Sequence, residues 1–256
     1  MFASKSIVCT ALALLAVTTA APGGNDIQKI TKAPNVPTKS EAVSKASVLE
    51  PQPVNERFPH AVLFGGTCGG TIISPTWILT AGHCTLFTGG RYILAGTNNT
   101  ENDSGITRRV KRQVIHPLFT VGPYWLDADD FNLKQVAARW DFLLAELNEP
   151  LPLDGKTMAA APLNDQPNLP VGLNVGYAGY GTDHFGGTMR SDMHGMELAV
   201  QSDEGDSGSG LVDETGKLIG VASWVENDAH ECKNGALVVF SRVSSVRGWI
   251  KQVTNV

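Results

Sequence analysis

The sequence predicts an all-β protein of the sandwich or barrel type that ends in one α-helix. From Ala61 onward, short runs rich in β-branched and aromatic residues alternate with clusters of Gly, Pro, Asn and Asp. This alternation is typical of strands and the turns between them. A longer helical period occurs only near the C-terminus, at residues 244–253. Many short strands and one terminal helix are the elements of a β-sandwich or a β-barrel.

Ten segments carry the strand pattern. In chain order they are AVLF, GTIIS, WILTAG, RYILAG, RRVKRQVIH, DFLLAEL, LNVGYAGYG, GSGLV, LIGVASWV and ALVVFSRV. The helix is predicted over SSVRGWIKQV, where Val246, Ile250 and Val253 recur near helical spacing and Trp249 flanks the stripe. A boundary is predicted at residues 148–156, where two prolines and a glycine interrupt the strand pattern.

Length and composition are those of a globular protein. The 256 residues can bury one sizeable core, or two smaller cores that share an interface. Charged residues make up 18% of the chain and hydrophobic residues 42%, which favours a packed core over a disordered chain. The net charge of -5 gives no basic footprint for nucleic acid, so we expect no partner of that class.

A secretory signal is predicted at the N-terminus. Lys5 precedes the apolar run IVCTALALLAV, and the small residues of TTAAP after it favour cleavage behind Ala20. The alternative is a membrane anchor, but the run is shorter than the ~20 apolar residues that a spanning helix needs. Residues 21–57 are rich in Pro, Ser, Lys and Glu. We therefore expect a signal peptide over 1–20, a propeptide or disordered tail over 21–47, and a folded, secreted domain over 48–256.

The cysteine count is odd once the signal is removed. Cys9 lies within the signal, and Cys68, Cys84 and Cys232 remain. A secreted protein meets an oxidising environment, in which cysteines pair. One thiol is therefore free, pairs between chains, or has lost its partner.

The stretch EGDSGSGLV, residues 204–212, poses the main functional question. Ser207 is either a nucleophile on a strained turn or part of a polar hairpin between two strands. A serine hydroxyl needs a base to take its proton. Of the six histidines, His83 directly follows a buried-looking strand, with the small Ala81 and Gly82 before it. His83 is therefore the candidate base, and a packed core histidine is the alternative.

A carboxylate that orients the imidazole is the third requirement. Asp141 stands at the head of the strongly apolar strand DFLLAEL, where a buried carboxylate must be paired. It could instead sit at the solvent edge of that strand. The rivals Asp127, Asp129 and Asp130 belong to an exposed-looking acidic loop.

The candidates occur in the chain order His, Asp, Ser, which differs from the orders of subtilisin and of α/β-hydrolases. The surrounding boxes resemble those of the chymotrypsin/trypsin-like serine endopeptidases. CGGTIISPTWILTAGHC resembles the family's histidine box, DFLLAEL its aspartate box, GYG its Gly-Trp-Gly, and GDSGSG its Gly-Asp-Ser-Gly-Gly-Pro. SWV, VVFSRVSS and the final WI resemble the substrate strand, the penultimate strand and the C-terminal helix. The resemblance covers roughly residues 59–256.

The resemblance implies a fold and a set of roles. The fold would be two antiparallel six-stranded β-barrels, about 48–150 and 151–256, with the triad between them. Ser207 would attack the peptide carbonyl, His83 would act as base, and Asp141 would orient it. The N–H groups of Gly205 and Ser207 would form the oxyanion hole. A disulfide between Cys68 and Cys84 is implied, and no cofactor or metal.

Substrate and partner expectations also come from the resemblance. Gln201 occupies the position at which trypsin relatives carry a charge-binding Asp, and Ser223, Trp224, Val225 and Val238 match the walls of the substrate site. The two valines would narrow the pocket as in elastase relatives, so we expect small apolar side chains to be preferred. Protein or peptide substrates, an activating protease and protease inhibitors are the expected partners.

Three departures from the family pattern are visible. The chain has no Ile-Val-Gly-Gly start whose amine would pair with Asp206, although Lys45 offers a possible cleavage point for a zymogen. The chain from Gly181 to Gly205 is shorter by about half and lacks the cysteine that would pair with Cys232. Gly82 stands for an Ala, and GDSGSG lacks the final Gly-Pro. A catalytically impaired homologue that acts as a binding or regulatory module is therefore the alternative function.

Two glycosylation sequons lie after the RYILAG strand. NNT begins at Asn98 and NDS begins at Asn102, in a polar loop. A secreted protein is expected to carry glycan on at least one of them.

Overall fold

Six strands close into an antiparallel barrel in the first half of the chain. The computed structural model describes residues 52–85, 91–122, 137–170, 172–181, 189–199, 208–225 and 238–256. The barrel strands are β1 (Ala61–Phe64), β2 (Cys68–Ser74), β3 (Trp77–Thr80), β4 (Tyr92–Ala95), β5 (Ile106–Ile115) and β8 (Leu143–Leu147). Their order around the barrel is β1-β2-β3-β8-β5-β4. Two short strands, β6 (Thr120–Gly122) and β7 (Ala137–Arg139), pair beside it.

The barrel interior accounts for the apolar runs of the sequence. All four residues of β3 and four of the five residues of β8 are buried, which explains why these two strands show no alternation. On β5, by contrast, exposed and partly buried residues alternate over much of the strand. Its exposed Lys111 and Arg112 bind Glu146 of the neighbouring β8, so the basic run RRVKR covers the barrel surface.

The second half of the chain contributes a five-stranded antiparallel sheet. Its strands are β9 (Asn174–Gly179), β10 (His194–Ala199), β11 (Gly210–Asp213), β12 (Leu218–Val225) and β13 (Val238–Arg242). They lie in the order β10-β9-β11-β12-β13. The predicted all-β class and the six-stranded first barrel are confirmed. For the second half, the described residues form this open sheet rather than the complete six-stranded barrel that was expected.

Three short helical segments complete the described structure. The chain ends in a 3-10 turn, Val243–Val246, followed by α2 (Arg247–Thr254), which confirms the predicted terminal helix. A four-residue helix α1 (Val54–Arg57) precedes the barrel and was not predicted, because one turn of helix is too short to show a period. Within the described ranges, every helix is too short or too polar to cross a membrane.

One hydrophobic core joins the barrel to the sheet. Leu79 of β3 belongs to the same buried cluster as Leu218 and Val221 of β12 and Ile250 of α2. A shared core holds the barrel and the sheet at fixed positions relative to each other, because a tightly packed interior resists displacement. Side chains from the two halves can therefore meet in one site.

Candidate active site

The pairing of β3 with β8 brings two predicted site residues to the same end of the barrel. These strands are antiparallel, and Thr80 lies opposite Leu143. Three residues after Thr80 the chain reaches His83, and two residues before Leu143 it carries Asp141. Because the end of one strand adjoins the start of the other, the imidazole and the carboxylate converge.

The carboxylate of Asp141 is completely buried and receives three hydrogen bonds. Its Oδ2 lies 2.6 Å from Nδ1 of His83, and its Oδ1 accepts the backbone N–H of His83 at 2.9 Å. The hydroxyl of Ser223, on β12 of the sheet, donates to Oδ2 at 2.7 Å. Asp141 has no exposed surface, whereas the His83 side chain keeps 16% exposure. This pairing agrees with the strand-head interpretation of Asp141 and disagrees with a position at the solvent edge.

A disulfide between Cys68 and Cys84 lies beside the imidazole. Both cysteines are buried, and Sγ of Cys84 is 3.9 Å from Nε2 of His83. Gly208 reaches the same place from the second half of the chain. A Cβ atom built on Gly208 would lie 3.4 Å from Sγ of Cys84, and its φ of +76° favours glycine. Gly208, which follows Ser207, thus lies next to Cys84, which follows His83.

Metal binding at this cluster does not fit its chemistry. Cys68, His83 and Cys84 bring three potential ligand atoms within 4.8 Å of one another. Both sulfurs are in the disulfide, however, and metal ligation by cysteine requires a thiolate.

Gly82 makes room for an aromatic ring. A Cβ atom on Gly82 would lie 3.1 to 3.2 Å from three carbons of the Phe119 ring. Glycine rather than the family's alanine fits at position 82 in this chain, because the Phe119 ring lies against the place where the alanine methyl group would be.

Several predicted site residues lie outside the described residues. These are Gly205, Asp206 and Ser207 of the serine box, together with Gln201 and Cys232. Of the predicted pocket walls, Trp224, Val225 and Val238 are described as strand backbone. Val225 lies opposite Val238 in the register of β12 and β13, so the two valines occupy paired positions. Ser223 was predicted as a substrate-binding residue, and its hydroxyl is bonded to Asp141.

A groove of about 910 Å³ lies away from the His83–Asp141 pair. It is lined by α1, by residues 159–162 and by parts of β9 and β11, and none of the predicted site residues belongs to it. His60 contributes to its wall. His60 is buried, its Nε2 has no hydrogen-bond partner among the described residues, and burial lowers its pKa to about 4.

Most of the chain matches a known protein family. The family model described as Trypsin matches residues 49–250, which is most of the chain. The chain belongs to the trypsin family. Membership in this family of serine proteases accounts for the His83–Asp141 pair between a barrel and a second sheet, and it confirms the chymotrypsin/trypsin-like resemblance of the sequence motifs.

Similar proteins come from insects and mammals. Scolexin B of Heliothis virescens is 77% identical over 288 aligned positions that cover all of both chains. Chymotrypsin-like elastase family member 1 of Felis catus is 29% identical over 73% of this chain and 78% of the relative. Trypsin 5G1 of Aedes aegypti is 27% identical over 78% of this chain and 82% of the relative.

The alignment with scolexin B contains gaps in this chain. It spans 288 positions and covers all 256 residues of this chain, so 32 of the aligned positions are gaps in this chain. A shortened stretch between Gly181 and Gly205, as the motif spacing indicates, would produce gaps of this kind.

Two features of the site were not found from the sequence. The bond from Ser223 to Asp141 joins residues 82 positions apart, and no spacing rule predicts it. Trp140, which precedes Asp141, adopts a φ of +51° that is rare for a bulky residue. The first depends on a contact with a distant element, and the second is a conformation that the residue type disfavours, so neither can be read from the sequence.

Proposed function

We propose that this chain is a secreted serine endopeptidase that hydrolyses peptide bonds with His83, Asp141 and Ser207. The observation that carries the proposal is the 2.6 Å contact between His83 Nδ1 and the buried carboxylate of Asp141. A carboxylate at Nδ1 holds the proton there, so that Nε2 carries the lone pair that a base needs. Family membership and the box GDSGSG support Ser207 as the nucleophile.

The proposed reaction has two halves. Oγ of Ser207 attacks the carbonyl carbon while Nε2 of His83 takes its proton, and the imidazolium then protonates the leaving amine. Water then attacks the carbonyl carbon of the acyl-enzyme while His83 takes a proton from the water. The imidazolium returns that proton to Oγ of Ser207 as the carboxylic acid product leaves. Asp141 orients the ring and stabilises its positive charge. The N–H groups of Gly205 and Ser207 hold the oxyanion, and one such donor contributes about 3 kcal/mol.

Covalent labelling by a fluorophosphonate tests the triad. The wild-type chain should be labelled at Ser207. Asp141→Asn should lower the rate by about 10⁴-fold, since the wrong tautomer is then favoured. Ser207→Ala should abolish labelling, whereas Ser245→Ala, which removes an exposed serine, should not. Equal labelling of wild type and His83→Ala would disprove the assignment.

The proposed substrates carry a small apolar side chain at the cleaved bond. The paired positions of Val225 and Val238 support this proposal, as does the absence of an acidic residue at Gln201. One relative is named an elastase family member. An alanine peptide should therefore be cleaved faster than the matched arginine peptide. Val225→Gly/Val238→Gly should shift the preference toward phenylalanine, and faster cleavage of the arginine peptide by wild type would refute the proposal.

Synthesis as a secreted zymogen is part of the same proposal. The predicted signal over residues 1–20 and the tail over 21–47 support it, with Lys45 as the cleavage point for an activating protease. The new amine would pair with Asp206. N-terminal sequencing of the mature secreted protein tests this, and a mature chain that begins at Ala21 would contradict activation by cleavage.

Glycan on the secreted protein is proposed at Asn102. This residue is exposed, whereas Asn98 is partly buried and its Oδ1 accepts the backbone N–H of Asn55. Asn102→Gln should therefore remove the gel shift that glycosidase treatment produces. Asn98→Gln is the matched control and should retain that shift.

An impaired protease homologue that binds a partner is the second candidate. The 32 gap positions of this chain in the alignment with scolexin B favour it, because the motif spacing predicts a shortened segment between Gly181 and Gly205, ahead of the nucleophile. In that case the fluorophosphonate would leave Ser207 unlabelled although the His83–Asp141 pair is intact. Labelling at Ser207 favours the endopeptidase.

A further inference from the structure

A tight turn follows β5 and lies behind the His83–Asp141 pair. The backbone N–H of His116 donates to the carbonyl of Phe142 at 2.9 Å, which extends the pairing of β5 with β8. The N–H of Phe119 donates to the carbonyl of His116 at 2.9 Å, and the N–H of Leu118 donates to Nδ1 of His116 at 3.2 Å. These bonds fix the backbone of the turn and the His116 ring relative to the barrel.

The His116 end of the turn contacts the residue before Asp141. The His116 ring stacks on Trp140 at 5.0 Å between centroids with an angle of 8° between the planes. The edge of Trp249, on α2, packs against the same imidazole at 4.9 Å. Trp140 is held at a φ of +51°, and the N–H of Phe142 donates to its carbonyl at 2.8 Å. This backbone conformation turns Asp141 into the protein.

The Phe119 end of the turn contacts the residue before His83. Its ring covers Gly82, where a Cβ atom would come within 3.1 Å of a ring carbon. The carbonyl of Gly82 accepts the N–H of Thr85 at 3.2 Å and the hydroxyl of Thr85 at 2.8 Å, which fixes the orientation of the peptide plane. The imidazole of His83 follows directly.

We propose that the turn His116–Phe119 positions the catalytic pair from behind, with one ring on the residue before Asp141 and the other on the residue before His83. Both rings act as positioning groups, and neither is proposed to touch the substrate. Displacement of a reacting group by about 1 Å can cost about 10²-fold in rate. The inference rests on the proposed endopeptidase function.

Substitutions of Trp140 test the Asp141 side of the turn. Trp140→Val removes the stack and disfavours a positive φ, since β-branched residues avoid that region. It should lower kcat on an alanine peptide by about 10²-fold and change KM by less than about threefold. Trp140→Asn tolerates the positive φ but also loses the stack on His116, so it should lower kcat by about tenfold or more. A kcat of Trp140→Asn within about threefold of wild type would show that the stack is dispensable and would overturn the proposal.

A compensating pair tests the His83 side of the turn. Gly82→Ala inserts a methyl group against the Phe119 ring and should lower kcat by about tenfold or more. Adding Phe119→Leu should restore at least part of that loss, because the smaller side chain leaves room for the methyl group. A double variant that is no faster than Gly82→Ala would contradict the positioning role of the ring. Val121→Ala is the control, since this residue of β6 is 46% exposed and lies outside the turn, and it should leave kcat unchanged.

A spectroscopic measurement separates this proposal from the proposed function. The proton between His83 Nδ1 and Asp141 should give a far-downfield resonance in the ¹H NMR spectrum of the full chain, whether or not Ser207 is reactive. That resonance should be lost or broadened in both Trp140 variants and kept in Val121→Ala. If wild type is unlabelled by fluorophosphonate and this pattern is still observed, the endopeptidase proposal fails and the positioning role stands. An unchanged resonance in folded Trp140→Val would overturn the positioning role.

Discussion

At the scale of single residues, Asp141 is a completely buried carboxylate that needs hydrogen-bond donors in place of water. A buried carboxylate is costly unless hydrogen bonds replace its water. Asp141 receives two bonds from His83 and a third from the hydroxyl of Ser223. The barrel supplies two of these donors and the sheet supplies the third, so the charge is satisfied only when both halves of the chain are folded.

Removing the third donor should therefore destabilise the protein. A hydrogen bond to a charged group contributes about 1.5–3 kcal/mol, so we expect Ser223→Ala to lower the free energy of unfolding by about that amount. Urea titration at neutral pH measures it. Ser245→Ala is the control, because its hydroxyl donates to a backbone carbonyl at an exposed position, and its loss should be smaller. Equal losses of unfolding free energy in the two variants would mean that the buried bond to Asp141 stabilises the fold no more than the exposed bond does.

His60 should make stability depend on pH. Burial lowers its pKa from 6.5 to about 4, so between these values the unfolded chain binds a proton that the folded protein does not. Stability therefore rises with pH through this window and is lost as pH falls through it, by about 3 kcal/mol in total. His60→Gln should flatten this part of the curve of unfolding free energy against pH. An unchanged slope between pH 4.5 and 6.5 would contradict the prediction.

At the scale of elements, the disulfide ties the start of β2 to the residue after His83. Cys68 and Cys84 are 16 residues apart, and closing a loop of that size stabilises by about 3 kcal/mol. Cys68→Ala/Cys84→Ala should lose about that much free energy of unfolding in urea. Reductant should bring wild type down to the variant's value and leave the variant unchanged. A wild-type midpoint that does not respond to reductant while the bond is verifiably reduced would contradict the estimate.

The elements also show what the sequence could predict. β3 and β8 were visible because each is a nearly continuous apolar run, and Asp141 was found because a carboxylate at the head of such a run needs a partner. The four-residue helix α1 was not predicted, because one turn has no measurable period. The positive φ of Trp140 was also missed, as was its stack on the His116 ring, 24 positions away in the chain, because local sequence shows neither.

At the scale of the whole molecule, one core joins the barrel, the sheet and the C-terminal helix. Ile250 of α2 is fully buried in the same cluster as Leu79 and Leu144 of the barrel. Trp249, its neighbour, packs on His116 behind the site. The helix predicted from a weak period over ten residues therefore has a second contact that its hydrophobic stripe did not reveal.

Restoring the missing segment should raise activity, because the whole molecule has to hold the loop that carries Ser207. The alignment with scolexin B leaves 32 gap positions in this chain, and the motif spacing predicts that the stretch between Gly181 and Gly205 is shorter than in the family by about half. An oxyanion hole formed by the N–H groups of Gly205 and Ser207 needs support from the residues before it. Loss of one oxyanion donor costs about 10²–10³ in rate, so a loop without that support should lose at least as much.

A chimaera that carries the corresponding segment of scolexin B tests this expectation. We expect the 256-residue chain to cleave an alanine peptide slowly, and the chimaera to be faster by about 10²-fold or more. The rate of fluorophosphonate labelling should rise in the same proportion, because it depends on the same nucleophile and base. The downfield resonance of the His83–Asp141 bond should be the same in both forms, since the pair lies at the end of the barrel strands and its further donor, Ser223, lies on β12. Equal turnover by the two forms would show that the segment before Ser207 is dispensable for catalysis.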